Sequence, residues 1–294
     1  MNETPSYTLR GHVLTAPKAV PGLYLVSTPI GNLGDISIRA LETLAGCDVI
    51  ACEDTRTSGV LLSRYGIDRP KISYNEHNAV SRGPDILRQI GEGKSIALIS
   101  DAGTPLVSDP GFRLVENAVE QGIAVIPIPG ASAPLAALVG SGLETGDFRF
   151  CGFLPTKHQA KAAHLKSLAE ETATLIFFDG PTRVVSTLGT MAEIFGSDRK
   201  IVVARELTKM HETFHRGTAL ELEQEFSEME RVRGEIVIVV SPGTVAETTQ
   251  EDVTALLRAA LTTMRTKEAA KAVALQTGLS KQDLYQQALV LKDE

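Results

Sequence analysis

The chain has 294 residues, with 29 Lys and Arg against 36 Asp and Glu, for a net charge of −7. Hydrophobic residues make up 43% and charged residues 22%, which excludes a disordered chain, and no apolar run reaches the ~18–20 residues of a membrane span. The acidic balance excludes a protein that coats nucleic acid through net charge alone, and Cys47, Cys52 and Cys151, an odd set without CxxC spacing, imply neither a disulfide framework nor a metal site.

At roughly 100–200 residues per domain the length predicts two domains with room for a small third. Residues 1–20 read as a flexible leader punctuated by Pro5 and Pro17, without the apolar core of a secretion signal, so a cytoplasmic location is expected. Strand-like runs follow at 23–26, 47–52, 95–100 and 123–128. Between them lie helical patterns: Ile38, Leu41 and Leu44 after a cap at Asp35; Val60, Leu61 and Tyr65 after Arg56; Ile86, Leu87 and Ile90 after Pro84; Leu114, Val115 and Ala118 after Pro110. Strand and helix in alternation predict a largely parallel sheet over 21–133.

A second α/β domain is expected over 134–242. Its strands fall at 148–153, 173–178, 200–204, 212–216 and 235–240, and its helices near 158–170, 182–195 and 218–230. Two of those strands follow one another with no helix between them, so this sheet reads as mixed. Residues 250–294 carry no strand signal and read as a helical extension.

Four loops follow strands of the first domain, and in a parallel sheet such loops share one edge, where ligands bind. TPIGNLGD (Thr28–Asp35) reads equally as a tight turn or a ligand loop, and it lacks the glycines of a dinucleotide fingerprint. CEDTR (Cys52–Arg56) is either a helix cap by Asp54 or Thr55, or a polar site. SDAGTPLVSDPG (Ser100–Gly111) is long and rich in small residues, which suits a ligand wall or an ordinary connection. PGASA (Pro129–Ala133) is the fourth.

These segments, with YNEHN (Tyr74–Asn78), GFLPTK (Gly152–Lys157) and ARELTK (Ala204–Lys209), occur in one order along the chain. In that order they resemble the tetrapyrrole-methylase-like methyltransferases. Within them the chain is similar to the branch that methylates the ribose 2′-oxygen of a cytidine, position 1402, in 16S rRNA. The resemblance covers about residues 22–241 and the extension. It implies two α/β domains, usually a homodimer, with S-adenosylmethionine in the cleft between them. By position it places Pro29, Ile30, Thr104, Pro105, Val107, Ala131, Ser132, Phe178, Asp179, Glu235 and Ile236 at the cofactor. The chain departs from the expected pattern at Asp179 and Thr182, where Glu and His are expected.

Methylating a ribose hydroxyl requires loss of its proton and alignment of oxygen, carbon and sulfur, and needs no metal. Glu53, Asp54 and His77 are candidate bases, with Arg56 beside them. His77, in a polar segment, reads also as a surface residue, and Glu206 as a simple partner of Arg205. Arg205 and Lys209 are candidates for holding phosphate or lowering the hydroxyl pKa.

Two stretches oppose the net charge. Residues 149–169 carry Arg149, Lys157, Lys161 and Lys166 and no acid, a local charge of +4, with Phe150 and Phe153 interleaved. They suit a helix that tracks RNA phosphates, or a solvated helix face. Residues 265–281 carry +3 within a helix-turn-helix pattern: Ala274, Gly278 and Leu284, with Val273, Leu279 and Leu289 as an apolar face. A helical docking module fits that stretch as well. The acidity concentrates in ELEQEFSEME (Glu221–Glu230), with five glutamates and no base. A tetrapyrrole C-methylase is the alternative reading, but it leaves the basic stretches without a role. A DNA-binding regulator leaves the polar loops without one.

Overall fold

A computed structural model describes residues 4–243 and 250–293. Contacts divide the chain into two compact units, Met1–Gly243 and Thr244–Glu294.

Among its described residues the first unit holds two five-stranded sheets and a two-stranded hairpin. The N-terminal sheet contains β3 (Gly22–Val26), β4 (Val49–Cys52), β5 (Lys71–Ser73), β6 (Ser95–Ile99) and β7 (Val125–Ile128), in spatial order β5-β4-β6-β3-β7. Every pairing is parallel. A parallel sheet needs cover on both faces, and β4 and β6 are buried along their whole lengths. On one face Tyr24, Val26, Ile50 and Ile99 meet α1 (Ile38–Gly46) and α2 (Thr55–Arg64) through Leu41, Leu44, Leu61 and Leu62. On the other, Leu23, Val49, Ile96 and Leu98 meet α3 (Ala79–Gly91) and α4 (Phe112–Glu120) through Ile86, Ile90 and Leu114.

The leader expected to be flexible is folded. Its strands β1 (Ser6–Leu9) and β2 (His12–Thr15) pair as an antiparallel hairpin, turned at Arg10 and Gly11, both at positive φ. Tyr7 is 3% exposed and joins the core beside Tyr65 and Ile67. The chain then crosses the end of α1, where a Cβ on Gly46 would lie 2.2 Å from the Pro17 carbonyl oxygen. Helix starts also differ from the sequence reading. Ser37, not Asp35, caps α1 by accepting the Ala40 N–H at 3.1 Å, and α3 begins at Ala79, ahead of Pro84.

The second sheet has the order β11-β10-β12-β9-β8. Its strands are β8 (Phe148–Phe153), β9 (Thr174–Asp179), β10 (Lys200–Arg205), β11 (Thr213–Thr218) and β12 (Ile236–Val240). Only β8–β9 is parallel, so the sheet is mixed as its sequence implied. Period-two alternation along β12 splits its side chains between two faces. Ile236, Ile238 and Val240 pack against α6 (His158–Ser167), α7 (Val184–Phe195) and α8 (Ala219–Glu228). Val237 and Val239 pack with Ala137 and Leu138 of α5 (Ala133–Ser141) and with Ile30 from the first sheet's leading loop. That shared cluster joins the two sheets into one unit.

The second unit contains α9 (Gln250–Leu261), α10 (Thr266–Thr277) and α11 (Lys281–Asp293). Gly278 ends α10 at φ +70°, and its N–H donates to the Ala274 carbonyl, so Ala274 and Gly278 make the turn as the spacing implied. Leu284 and Val273 are buried there with Val253, Leu257 and Ala288. Leu279 and Leu289, expected on the apolar face, are instead 45% and 37% exposed. Among the described residues no helix is long and apolar enough to cross a membrane.

Candidate functional site

The C-terminal ends of the first sheet's parallel strands face the second sheet across a cleft of about 380 Å3, a size suited to a small ligand. The long loop after β6 forms one wall with Gly103, Thr104 and Val107. Ser132 and Pro134 at the start of α5 form another, and Phe178, Asp179 and Ile236 at the ends of β9 and β12 face them. The isolated bridge between Thr28 and Gly103 fixes the first loop against the third. Thr104 Oγ1 donates to the Ala131 carbonyl at 3.3 Å, which ties the third loop to the fourth. Leu106 and Ser108 sit at positive φ in this wall, as do Glu206 and Thr208 in the loop after β10. Apart from Arg10 in the leading hairpin, the described non-glycine residues at positive φ thus gather in two loops bordering the site.

The structure brings together Ile30, Thr104, Val107, Ser132, Phe178, Asp179, Glu235 and Ile236 along the cleft. Pro29 lines an adjoining cavity rather than the cleft itself. Pro105 and Ala131 line neither: Pro105 is buried, and Ala131 contributes its carbonyl to the Thr104 contact. Phe150 and Phe153 hold the Phe178 ring in place, with centroids 5.0 and 5.2 Å from it. Phe153 is itself a cleft residue that the sequence reading placed with RNA, and Gly180, Pro181 and Gly234 went unread. Gly234 had a readable signal as a glycine between polar neighbours. Its φ is +89°, and the Glu206 carboxylate occupies the place of a Cβ, 2.2 Å away.

Carboxylates surround the cleft. Asp101, Asp109, Asp179 and Glu235 line it. Asp179 is 4% exposed. Its Oδ1 accepts the Gly180 N–H and the Arg183 guanidinium, both at 2.8 Å, while the buried Oδ2 has no donor among the described residues. Burial raises the Asp109 carboxyl above the ordinary range, and Asp101 adds to it. Glu53 is raised by burial first and then by Asp109 and Asp101, although it lines neither cavity. Such a rim focuses negative potential on the cleft and favours a ligand with positive charge. Among the described residues no group of His, Cys, Asp and Glu could hold a metal ion.

The other catalytic candidates are not at the cleft. Asp54 caps α2, accepting the Arg56 N–H at 2.8 Å, and its hydrogen bonds with Arg56 lower its carboxyl to about 2. Arg56 turns back onto Asp54 at 2.7 Å with its side chain in solvent. His77 is exposed in the turn before α3. Lys209 is held between Glu206 at 2.8 Å and Glu235 at 3.1 Å. Burial opposes its charge, but the two carboxylates outweigh burial and raise its pKa. Glu206 therefore pairs with Lys209, while Arg205 donates to the Arg233 carbonyl at 2.8 Å.

The basic stretch is less available than its count suggests. Arg149 pairs with Glu171 at 2.9 Å. Lys161 is 4% exposed and donates to Thr187 Oγ1 at 3.0 Å and Ser186 Oγ at 3.3 Å. It faces α7, so the sequence reading that set it on an RNA face is corrected. Lys157 and Lys166 remain exposed.

Comparison with known proteins places this architecture. Residues 22–223 match the family model for tetrapyrrole (corrin/porphyrin) methylases, and residues 247–292 match that for the RsmI C-terminal HTH domain. Solved structures of a cobalt precorrin-4 methyltransferase and of a uroporphyrin-III C-methyltransferase from Thermus thermophilus share the fold. Their TM-scores are 0.56 and 0.54, at 17% and 18% identity, covering 74% and 75% of this chain and 94% of each of theirs. Proteins named ribosomal RNA small subunit methyltransferase I are far more similar in sequence. The one from Mesorhizobium japonicum is 50% identical over 93% of both chains. The one from Synechocystis is 44% identical over 92% of this chain and 98% of its own. The chain thus belongs to the tetrapyrrole methylases, and within them to the ribosomal RNA small subunit methyltransferase I family.

Proposed function

We propose that the protein methylates the ribose 2′-oxygen of cytidine 1402 in 16S rRNA, using S-adenosylmethionine. The observation that carries this reading is the 50% identity to a ribosomal RNA small subunit methyltransferase I over 93% of both chains. The cleft supports it chemically. S-adenosylmethionine, when bound, supplies a methyl group on a positive sulfonium centre. Ile30, Val107, Phe178 and Ile236 give apolar walls to such a ligand, and Asp101, Asp109, Asp179 and Glu235 offer acceptors and negative potential. Most of the acceleration then comes from holding the acceptor oxygen in line with the methyl group in a site that excludes water.

Lys157 at the N-cap of α6 and Lys166 on α6 are proposed phosphate contacts; within the second unit, the exposed Arg265, Lys267, Lys271 and Lys281 are proposed separately. Arg149, Arg205 and Lys209 have protein partners already and would have to exchange them for phosphate. The protein is proposed to act in the cytoplasm, as a homodimer, on 16S rRNA or the small ribosomal subunit. Label transfer from methyl-labelled S-adenosylmethionine tests the reading, run in parallel on naked 16S rRNA, on small subunits lacking the modification and on a uroporphyrinogen-type tetrapyrrole. Label entering an RNA substrate supports the reading, and label entering only the tetrapyrrole contradicts it.

A further inference from the structure

A second cavity, of about 420 Å3, adjoins the cleft. Its floor is the first loop, Thr28 to Gly31, and one side is the first two turns of α2, with Thr57, Val60 and Leu61. Lys209 closes it from the second sheet. Val60 is 69% exposed and Leu33 38%, so apolar side chains stand open to solvent at its mouth. Among the described residues the two cavities share only Ile30, Asp101, Ala102 and Glu235. These four residues form the partition between them.

A methyl transfer joins two ligands, and it must take place where their sites meet. Ile30 and Ala102 offer no side chain that can accept a proton. Of the two carboxylates, Glu235 is engaged by Lys209 at 3.1 Å. Asp101 is committed less: its Oδ1 accepts the Asp54 N–H at 3.2 Å. It follows β6 in a loop anchored by the Thr28–Gly103 bridge.

We infer that the second cavity holds the acceptor nucleoside of an RNA strand, and that Asp101 is the catalytic carboxylate that receives the proton of its 2′-hydroxyl. The inference rests on the functional reading above. As the hydroxyl oxygen forms its bond to the methyl carbon, the carbon–sulfur bond breaks and its electron pair remains on sulfur. The hydroxyl proton passes to an Asp101 carboxylate oxygen and from there to water. The products are a neutral thioether, a methyl ether and the proton released to water, so charge and atoms balance. The apolar mouth at Leu33 and Val60 suits a base turned out of its strand, and Lys209 supplies a cation beside it.

Two variants test this. Asp101→Asn keeps an oxygen for the Asp54 N–H but cannot accept the proton. Thr57→Trp fills the second cavity without touching the partition. S-adenosylhomocysteine affinity is read by calorimetry, folding by thermal melting, and chemistry by single-turnover methyl transfer to small subunits. For Asp101→Asn we expect cofactor-product affinity within about threefold of wild type and a transfer rate lowered by ~100-fold or more. For Thr57→Trp we expect the same retained affinity with transfer abolished. An Asp101→Asn rate within threefold of wild type overturns the assignment. So does a loss of S-adenosylhomocysteine affinity as large as the loss of rate, which makes Asp101 a cofactor ligand. Undiminished transfer by Thr57→Trp overturns the acceptor site. Failure of the wild type itself to methylate rRNA, with its S-adenosylhomocysteine binding intact, overturns the functional reading and this inference together.

Discussion

The backbone N–H of Asn32 donates to Thr208 Oγ1 at 3.0 Å, across 176 residues of chain. This bond ties the loop after β3 to the loop after β10, and so closes the site from both sheets. Gly31 makes the approach possible. A Cβ there would lie 2.6 Å from Lys209 Cγ and 2.9 Å from Thr208 Oγ1. Gly31→Val should therefore push the loops apart, costing ~1–3 kcal/mol of stability and weakening S-adenosylhomocysteine binding. Urea denaturation and calorimetry measure the two effects. Unchanged affinity would mean that the loop junction does not shape the ligand site.

Lys161 offers a second test because its charge is buried. Burial lowers its pKa below the ordinary 10.5, with Asp179 partly opposing the shift. The unfolded chain then holds that proton more tightly than the folded one. Stability from this group is lowest while both states are protonated, and it rises with pH until the unfolded lysine also titrates. Lys161→Met lacks this rise. The stability difference between wild type and Lys161→Met should shift toward the wild type as pH rises through the lowered folded value toward the ordinary 10.5. A pH-independent difference would contradict the buried-charge description.

Lys161→Met should also leave RNA affinity intact. Lys157→Glu and Lys166→Glu should weaken it, and each lysine neutralised should reduce the steepness of its salt dependence by about one ion. Filter binding of 16S rRNA over a salt series reads this. Equal effects at all three lysines would return Lys161 to the RNA face.

Glu53 carries the opposite linkage. Burial and the neighbouring Asp109 and Asp101 raise its carboxyl. The folded state binds the proton more tightly, so stability falls as pH rises from the ordinary glutamate value through the raised one. Glu53→Gln should be more stable than wild type at pH 7, with the gain vanishing below about pH 4. Thermal melting against pH checks it. Methyl transfer should fall less than in Asp101→Asn, because Glu53 lines neither cavity.

What the sequence made legible follows from how strongly each residue's environment constrains it. Strands β4 and β6 of the first sheet are buried along their whole lengths and read as apolar runs, and the loops that follow the parallel strands fall at one edge by topology alone. The family resemblance, rather than topology, placed Thr104, Ser132 and Phe178 at the cofactor, and all three line the cleft. Strand β5 is three residues long with an exposed first residue, so it left no pattern to read. The Arg10–Gly11 turn of the leading hairpin carries a weak signal because Pro5 and Pro17 flank its short strands. Lys161 was misread because α6 has few large apolar residues, and its inward face is marked by a lysine whose aliphatic stem packs while Ser186 and Thr187 satisfy its head. Asp54, Arg56 and His77 stand in polar loops at the right sheet edge, yet Asp54 and Arg56 satisfy each other and His77 faces solvent.

The leading hairpin gives a prediction of its own. Tyr7 is buried against Tyr65 and Ile67, so Tyr7→Ala should cost ~3 kcal/mol. A denaturant midpoint unchanged from wild type would restore the view of residues 1–20 as an idle leader.

The central claim is tested most directly by identifying the labelled nucleoside. Small subunits lacking the modification are incubated with the protein and methyl-labelled S-adenosylmethionine, and their 16S rRNA is digested to nucleosides and separated. The account predicts a single labelled product, 2′-O-methylcytidine, and its loss with Asp101→Asn. Label in a base-methylated nucleoside, or no label in RNA at all, would contradict it.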